Sequence, residues 1–240
     1  MLTVCTGWSP SGYKTYGKRF AETFARFWPE DVQLVVYGEE PCELPRGEFR
    51  LLSSIGGAAE FRARWKDDPV ANGRKPAPGR EWKSKRLQEG YNFRFDAWKF
   101  SPQGFIPFDT ARRIMGGYLC WLDGDVYTHK KVPSGFIESL LPADKHVAYL
   151  GRGDKHSEIG FQLYRIPEAL QMVTTFKDFY ASDRLFSLKE WHSAYVFDHA
   201  RKVCGIAGHD LTPGGYGNVF DTSILGRYLM HLKGKRKGNA

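Results

Sequence analysis

The opening of the chain constrains the fold most. Leu2 to Thr6 is a short apolar run that ends in the polar turn Gly7-Trp8-Ser9-Pro10-Ser11-Gly12. Tyr16 to Trp28 then carries Phe20, Ala21, Phe24, Phe27 and Trp28 at helical spacing, closed by Pro29. Val32 to Tyr37 follows as a continuous, largely β-branched run. Strands buried on both faces read as unbroken apolar runs, and two of them joined by an amphipathic helix become parallel neighbours in one sheet. The pattern predicts an α/β protein with a mixed, mostly parallel sheet flanked by helices.

The rest of the sequence extends that sheet. Phe49 to Leu52, Gly117 to Val126, Val147 to Leu150 and Ile159 to Ile166 read as strands, and Pro167 to Tyr180 and Ser187 to Val203 as helices. With 240 residues, no repeat and no linker, a single domain over 1–240 is expected. Residues 53–90 stand apart as a basic insertion or lid. They contain Gly56-Gly57, Asn72-Gly73 and Pro76-Ala77-Pro78-Gly79, with Lys or Arg at 62, 64, 66, 74, 75, 80, 83, 85 and 86.

Charge and cysteines narrow the classes. The net charge of +8 suits anionic partners such as nucleotide diphosphates or nucleic acid, and equally a plain solvated surface. Cys5, Cys42, Cys120 and Cys204 form no close pair, which excludes a zinc ribbon and a C-x-x-C redox centre. Cys5, Cys120 and Cys204 sit in apolar runs and read as buried thiols, as in a reducing compartment. Met1 to Thr6 lacks the charge and length of a signal peptide, and no apolar run is long enough to span a bilayer. The expectation is a soluble cytoplasmic protein without a membrane partner.

The chemistry concentrates at Tyr118-Leu119-Cys120-Trp121-Leu122-Asp123-Gly124-Asp125. Strand side chains alternate, so Asp123 and Asp125 are expected to point the same way, and Gly124 lets a ligand approach the backbone. Ligands of open α/β sheets bind beyond the carboxyl ends of the strands. Two carboxylates there suit Mn²⁺ or Mg²⁺, which can bridge a diphosphate. Asp-Gly is also a common turn dipeptide, so an ordinary surface turn is the competing reading.

This strand resembles the Asp-x-Asp strand of GT-A glycosyltransferases. The late His231-Leu232-Lys233-Gly234 is similar to the segment of glycogenin-like and lipopolysaccharide galactosyltransferase-like enzymes in which a histidine completes the metal site and a lysine holds the diphosphate. Its His-x-Lys-Gly spacing is shorter than their His-x-x-Gly-x-x-Lys. Asn92 to Asp96 and the Trp191-His192 to Asp198 stretch resemble a small phage-type group of such enzymes. The resemblance implies a GT-A, Rossmann-like fold and a metal held by Asp123, Asp125 and His231. It also implies transfer of a sugar from a nucleotide-diphosphate donor, a UDP-sugar first among them, to a hydroxyl. For a phage enzyme the acceptor would be a 5-hydroxymethylated pyrimidine in DNA and the location the host cytoplasm. A glycan, lipopolysaccharide or protein hydroxyl is the alternative acceptor.

Further residues are candidates beside that core. Thr6 and Gly7 lie at the turn that the resemblance implies would touch the nucleoside, a plain turn being the alternative. Arg94 and Lys99 are natural phosphate donors, Asp96 a hydroxyl acceptor and Lys233 a phosphate partner. In Ser157 to Tyr164, Glu158, Gly160, Gln162 and Tyr164 share one face, which reads as a cleft lining or equally as an exposed edge strand. The resemblance implies that such a strand lies under the reacting sugar, with Glu158 and Gln162 near sugar or acceptor. On a helix from Leu188 to Val203, Trp191, Tyr195 and Asp198 fall on one face. Asp198 is then a candidate base for an inverting reaction, or a positioning group for a retaining one, with Trp191 and Tyr195 against the acceptor. Trp65 and Trp82 among the basic residues of 62–86 keep DNA in view as a partner. A metal-dependent nuclease or nucleotidyltransferase, or a non-catalytic DNA-binding protein, is the rival class. The nuclease would need a third acidic ligand, and no spacing in the sequence supplies one.

Overall fold

In the computed structural model, which describes residues 1–79, 90–153 and 155–233, the opening run becomes β1 (Leu2–Trp8). Ser9 caps a single turn, α1 (Pro10–Gly12), and a π-helical turn over Tyr13–Gly17 leads into α2 (Lys18–Phe27). The aromatic stripe of α2 is its inner face: Phe20 and Phe24 are buried, and the Phe24 ring stacks on Trp28 with centroids 4.9 Å apart. Pro29 follows directly, and the chain returns as β2 (Gln33–Gly38), parallel to β1.

The remaining elements, in order, are β3 (Glu48–Leu51), α3 (Ala58–Trp65), α4 (Ala97–Phe100), α5 (Pro102–Ala111), β4 (Gly117–Leu122), β5 (Val126–Thr128) and α6 (Phe136–Ser139). Then come β6 (Val147–Arg152), β7 (Lys155–Ile166), α7 (Leu170–Ala181), α8 (Ser193–Val203), β8 (Gly208–Asp210), α9 (Val219–Thr222) and β9 (Leu229–His231). Seven strands form one sheet in the order β3-β2-β1-β4-β7-β6-β8. All run parallel except β7, which is antiparallel to both β4 and β6. The expected α/β architecture, a mixed and mostly parallel sheet between helices, is what forms. Among the described residues no helix is long and apolar enough to cross a membrane.

Alternation along the central strands divides the interior into two cores. Val4, Val36, Cys120 and Leu122 face the side that holds Phe20 and Phe24. Cys5, Tyr37, Leu119 and Trp121 face the other, with Phe105 of α5, Phe176 of α7 and Phe197 of α8. Covering both faces explains the unbroken apolar runs. It also corrects the expected cleft face of β7: Gln162 and Tyr164 are fully buried. The Tyr164 hydroxyl donates to Gln162 Oε1, so that amide serves the interior and meets no cleft.

Two predicted elements differ. The Gly117 to Val126 strand stops at Leu122 and resumes as β5 after a turn. The Ser187 to Val203 helix begins only at Ser193. Ahead of it, the backbone N–H groups of Trp191 and His192 donate to the Arg94 carbonyl at 2.7 and 3.2 Å. The Trp191 ring lies edge-on to Phe95 and Phe186, with centroids 5.1 and 5.0 Å away. This tertiary anchor outweighs helical propensity. Trp191 therefore does not share a helical face with Tyr195 and Asp198.

Part of the basic insertion is structural. Phe61 is buried, the Arg62 guanidinium covers the Trp98 ring at 3.8 Å, and Arg64 and the Trp65 indole both reach Asp183, at 3.0 and 2.8 Å. Arg80, Trp82, Lys83, Lys85 and Arg86 of that insertion, and Gly234, Lys235, Arg236 and Lys237 of the tail, lie outside the described residues.

Cys5 and Cys120 are buried on opposite faces of the sheet, and burial pushes both thiols well above their ordinary range. Cys204 is half-buried and donates to Thr175 Oγ1, and Cys42 is half-buried. Alkylation proceeds through the thiolate. Iodoacetamide at mildly alkaline pH should therefore label Cys42 in the native protein and spare Cys5 and Cys120 until denaturant is added. Peptide mass mapping reads this directly, and early labelling of either would contradict the two-sided burial.

Candidate metal centre

The three residues after β4 form a turn closed by the Val126 N–H donating to the Asp123 carbonyl at 3.0 Å. The Asp123 N–H donates to the Gly160 carbonyl, also at 3.0 Å, so the turn hangs from the last rung between β4 and β7. Asp123 and Asp125 thus converge through a turn rather than through strand alternation, which corrects the reason expected for their pairing. Gly124 is required by packing. A Cβ there would lie 2.9 Å from the Gly7 carbonyl oxygen at the end of β1 and 3.2 Å from the Trp8 and Tyr16 rings.

β5 leaves this turn and pairs antiparallel with β9, setting Val126 opposite His231. The Leu232 N–H donates to the Asp125 carbonyl at 3.0 Å. The ribbon delivers the imidazole to the carboxylates: His231 Nε2 is 2.9 Å from Asp125 Oδ1 and 3.6 Å from Asp123 Oδ2. One donor atom from each of the three residues falls within 4.8 Å of the others. Gly160 makes room for the ring, since a Cβ there would meet His231 atoms at 2.6 Å. Two carboxylates and one imidazole, held this closely and largely buried, are a donor set fit for a divalent cation such as Mn²⁺ or Mg²⁺.

The electrostatics agree with that donor set. Burial raises the Asp123 carboxyl above its usual range, the imidazole of His231 opposes this, and the Asp125 charge adds to it. The Tyr16 hydroxyl is pushed up to about 12 by burial and by the charges of Asp125 and Asp123. A negative potential in a half-enclosed space favours a cation. Orientation is fixed from behind: Gln103 Nε2 and Trp121 Nε1 donate to Asp123 Oδ1 at 2.6 and 3.0 Å, which leaves Oδ2 on the His231 side. Outer partners of this kind hold a ligating carboxylate in one rotamer.

Two cavities meet at Asp123. One, of about 280 Å³, opens beside the ends of β1 and β2 and is bounded by Gly7, Trp8, Tyr16, Arg62, Lys99 and Gln103 as well as the Asp123–Asp125 turn. The other, of about 240 Å³, is bounded by Arg94, Arg152, His156, Glu158, Glu190 and His192, with Asp123 and Gln103 again in its wall.

The remaining candidates divide. Gly7 and Lys99 border the first cavity, and Arg94 and Glu158 the second. Glu158 also lies beside the imidazole, Oε1 being 3.5 Å from His231 Nδ1, and its other oxygen is paired with Arg152 and Lys233. Burial and the neighbouring Arg152 push the Lys233 ammonium down to about 8. Thr6 is fully buried one residue behind Gly7. Asp96 caps α4 by accepting from the Lys99 N–H at 3.0 Å, and it takes the Tyr91 hydroxyl at 2.7 Å. Asp198 accepts from the Ser157 N–H and hydroxyl at 2.9 and 2.7 Å, tying β7 to α8, and borders neither cavity. Tyr195 packs on His156 with centroids 5.0 Å apart and also stands outside both. Asp198 and Tyr195 thus buttress the wall without facing its space.

Sequence reasoning missed Gln103, Tyr16 and Trp121 at the metal centre, and Arg152, Glu190 and His192 across from it. Trp121 was legible, because it stands two residues before Asp123 at the end of the strand that leads into the turn. Gln103 carried no signal: it comes from the first turn of α5, and only the sheet brings it near.

Replacing Gln103 with Leu is expected to release Asp123 and weaken divalent-cation affinity by about ten- to a hundredfold with the fold intact. Titration with Mn²⁺ followed by electron paramagnetic resonance measures this, and unchanged affinity would show that Gln103 does not orient the carboxylate. No protein-family profile matches this chain, and no curated protein matches it, so its chemistry is read from the site itself.

Proposed function

We propose that this chain is a metal-dependent glycosyltransferase of the GT-A type, taking its sugar from a nucleotide-diphosphate donor. The observation that carries the reading is the position of Asp123, in the wall of both cavities and in reach of Asp125 and His231. A donor in one cavity and an acceptor in the other would then meet at the cation.

In this reading the first cavity takes the nucleotide, a uridine diphosphate first, with Gly7 leaving room at the β1 end and Lys99 and Arg62 offering positive charge. Asp123, Asp125 and His231 hold Mn²⁺ or Mg²⁺, whose charge stabilises the departing diphosphate. Lys233 stands beside Glu158 as a second positive group, drawn to a phosphate once one is present. Glu158, on the strand that flanks the metal centre, faces the space where the transferred sugar would lie. Arg152 and Lys233 pair with its carboxylate and hold it in place, which suits hydrogen bonding to sugar hydroxyls. Arg94, Arg152 and the net charge of +8 favour an anionic acceptor such as hydroxymethylated DNA over a neutral glycan.

A nuclease reading gains one point from the geometry, since Glu158 is a third carboxylate near the imidazole. That carboxylate is already engaged by Arg152 and Lys233, on the opposite ring nitrogen from the aspartates. The transferase reading is therefore preferred.

The test is release of nucleotide from UDP-sugars with Mn²⁺, with and without hydroxymethylcytosine DNA. Asp125→Ala is expected to lower turnover on the order of a hundredfold or more. Full activity in that variant, or Mn²⁺-dependent nicking of plasmid in place of sugar release, would sink the assignment.

A further inference from the structure

A second group of ligating side chains lies in the wall of the second cavity. His156 stands near the start of β7. Glu190 and His192 come from the non-helical segment just before α8, are separated by one residue, and turn their side chains toward each other. His192 Nε2 is 2.9 Å from Glu190 Oε2, and His156 Nε2 is 3.5 Å from the same oxygen. One donor atom from each residue lies within 4.8 Å of the others.

We infer that His156, Glu190 and His192 form a second divalent-metal site, of zinc type, with an open position facing the second cavity. Two imidazoles and one carboxylate are a set that zinc takes when it keeps a fourth position for an exogenous ligand. Metal–ligand bonds of about 2.0–2.1 Å in a tetrahedron place ligand atoms about 3.4 Å apart. The His156–Glu190 separation already has this value, and the His192–Glu190 pair has to open by a few tenths of an ångström. For His192 to ligate through Nε2, any proton that Nε2 shares with Glu190 has to leave that nitrogen, moving to Nδ1 if the ring is neutral, or to solvent if the ring or Glu190 carries an extra proton.

The surroundings are built for the task. Glu190 and His192 are both more than nine-tenths buried, at 8% and 7% exposure. Their segment is fixed by the Trp191 and His192 N–H groups on the Arg94 carbonyl. Arg94 Nη1 lies 3.4 Å from Glu190 Oε1, which holds that oxygen and turns Oε2 toward the histidines. Behind His156, Nδ1 lies 3.9 Å from Asp198 Oδ2, too far for a hydrogen bond, so that carboxylate is a charged neighbour of the imidazole while its own hydrogen bonds go to Ser157. The fourth position opens on the space that Asp123 borders from the other side, where it would take an anionic or hydroxyl oxygen.

The inference does not depend on the transferase reading, and its test separates the two centres. The Asp125→Asn variant, with the first centre disabled, is loaded with Zn²⁺, freed of excess by gel filtration and assayed by plasma mass spectrometry. Co²⁺ is substituted in parallel for its visible spectrum. About one retained equivalent of zinc is expected, with the intense Co²⁺ absorption of a four-coordinate site. Adding His192→Asn, or the solvent-facing His156→Asn should the buried change disturb folding, is expected to weaken zinc binding by at least about a hundredfold. Absence of retained zinc in Asp125→Asn, or retention unchanged by both histidine variants, would overturn the inference.

Discussion

Two carboxylates in one three-residue turn repel each other, and much of the fold around them serves to hold them together. The turn is gripped on three sides. Gly124 presses on the end of β1, the Asp123 N–H closes on Gly160 of β7, and the Asp125 carbonyl receives Leu232 beyond β9. Each grip uses backbone, so the side chains stay directed at His231. The buried imidazole and the donors behind Asp123 offset part of the repulsion, and a cation held between the three side chains would offset more.

The general architecture was legible because apolar runs report burial directly. β1, α2, β2, β6 and β7 lie where the patterns put them, β4 is shorter than its pattern, and the Asp-x-Asp motif follows directly on the strand expected to carry it. The errors share a physical origin. Parity could assign Gln162 and Tyr164 to one face of β7, yet not reveal that α5, α7 and α8 cover that face. Helical spacing placed Trp191 with Asp198, but a carbonyl nearly a hundred residues earlier takes the Trp191 and His192 N–H groups and keeps Trp191 out of the helix. Asp96 and Asp198 had the chemistry of ligand-binding groups and are occupied instead by caps and by Ser157. A carboxylate's partners are a tertiary property, and spacing along the chain does not encode them.

Asp123 and Gln103 form a partition shared by two cavities rather than the floor of one. The two sides differ in chemistry. Tryptophan, tyrosine and glycine recur around the first, with Trp8, Tyr37 and Gly7 from the ends of β1 and β2. Arginine, histidine and glutamate dominate around the second. The antiparallel β7 creates this contrast. Inserted between two parallel strands, it brings its early residues, Glu158 and His156, to the same edge where β1 and β4 end.

The β5–β9 ribbon has a consequence for the molecule as a whole. It is only three residues long on each strand, yet it joins positions more than a hundred residues apart in sequence. Closing so long a loop carries a substantial entropic cost that six short strand residues repay poorly. An ion shared by Asp125 and His231 would act there as a non-covalent rivet. Whatever affinity it has for the native chain over the unfolded one is added to the stability of the closed loop. Cation concentration would then govern how firmly the last strand is fastened, independently of any reaction the centre performs.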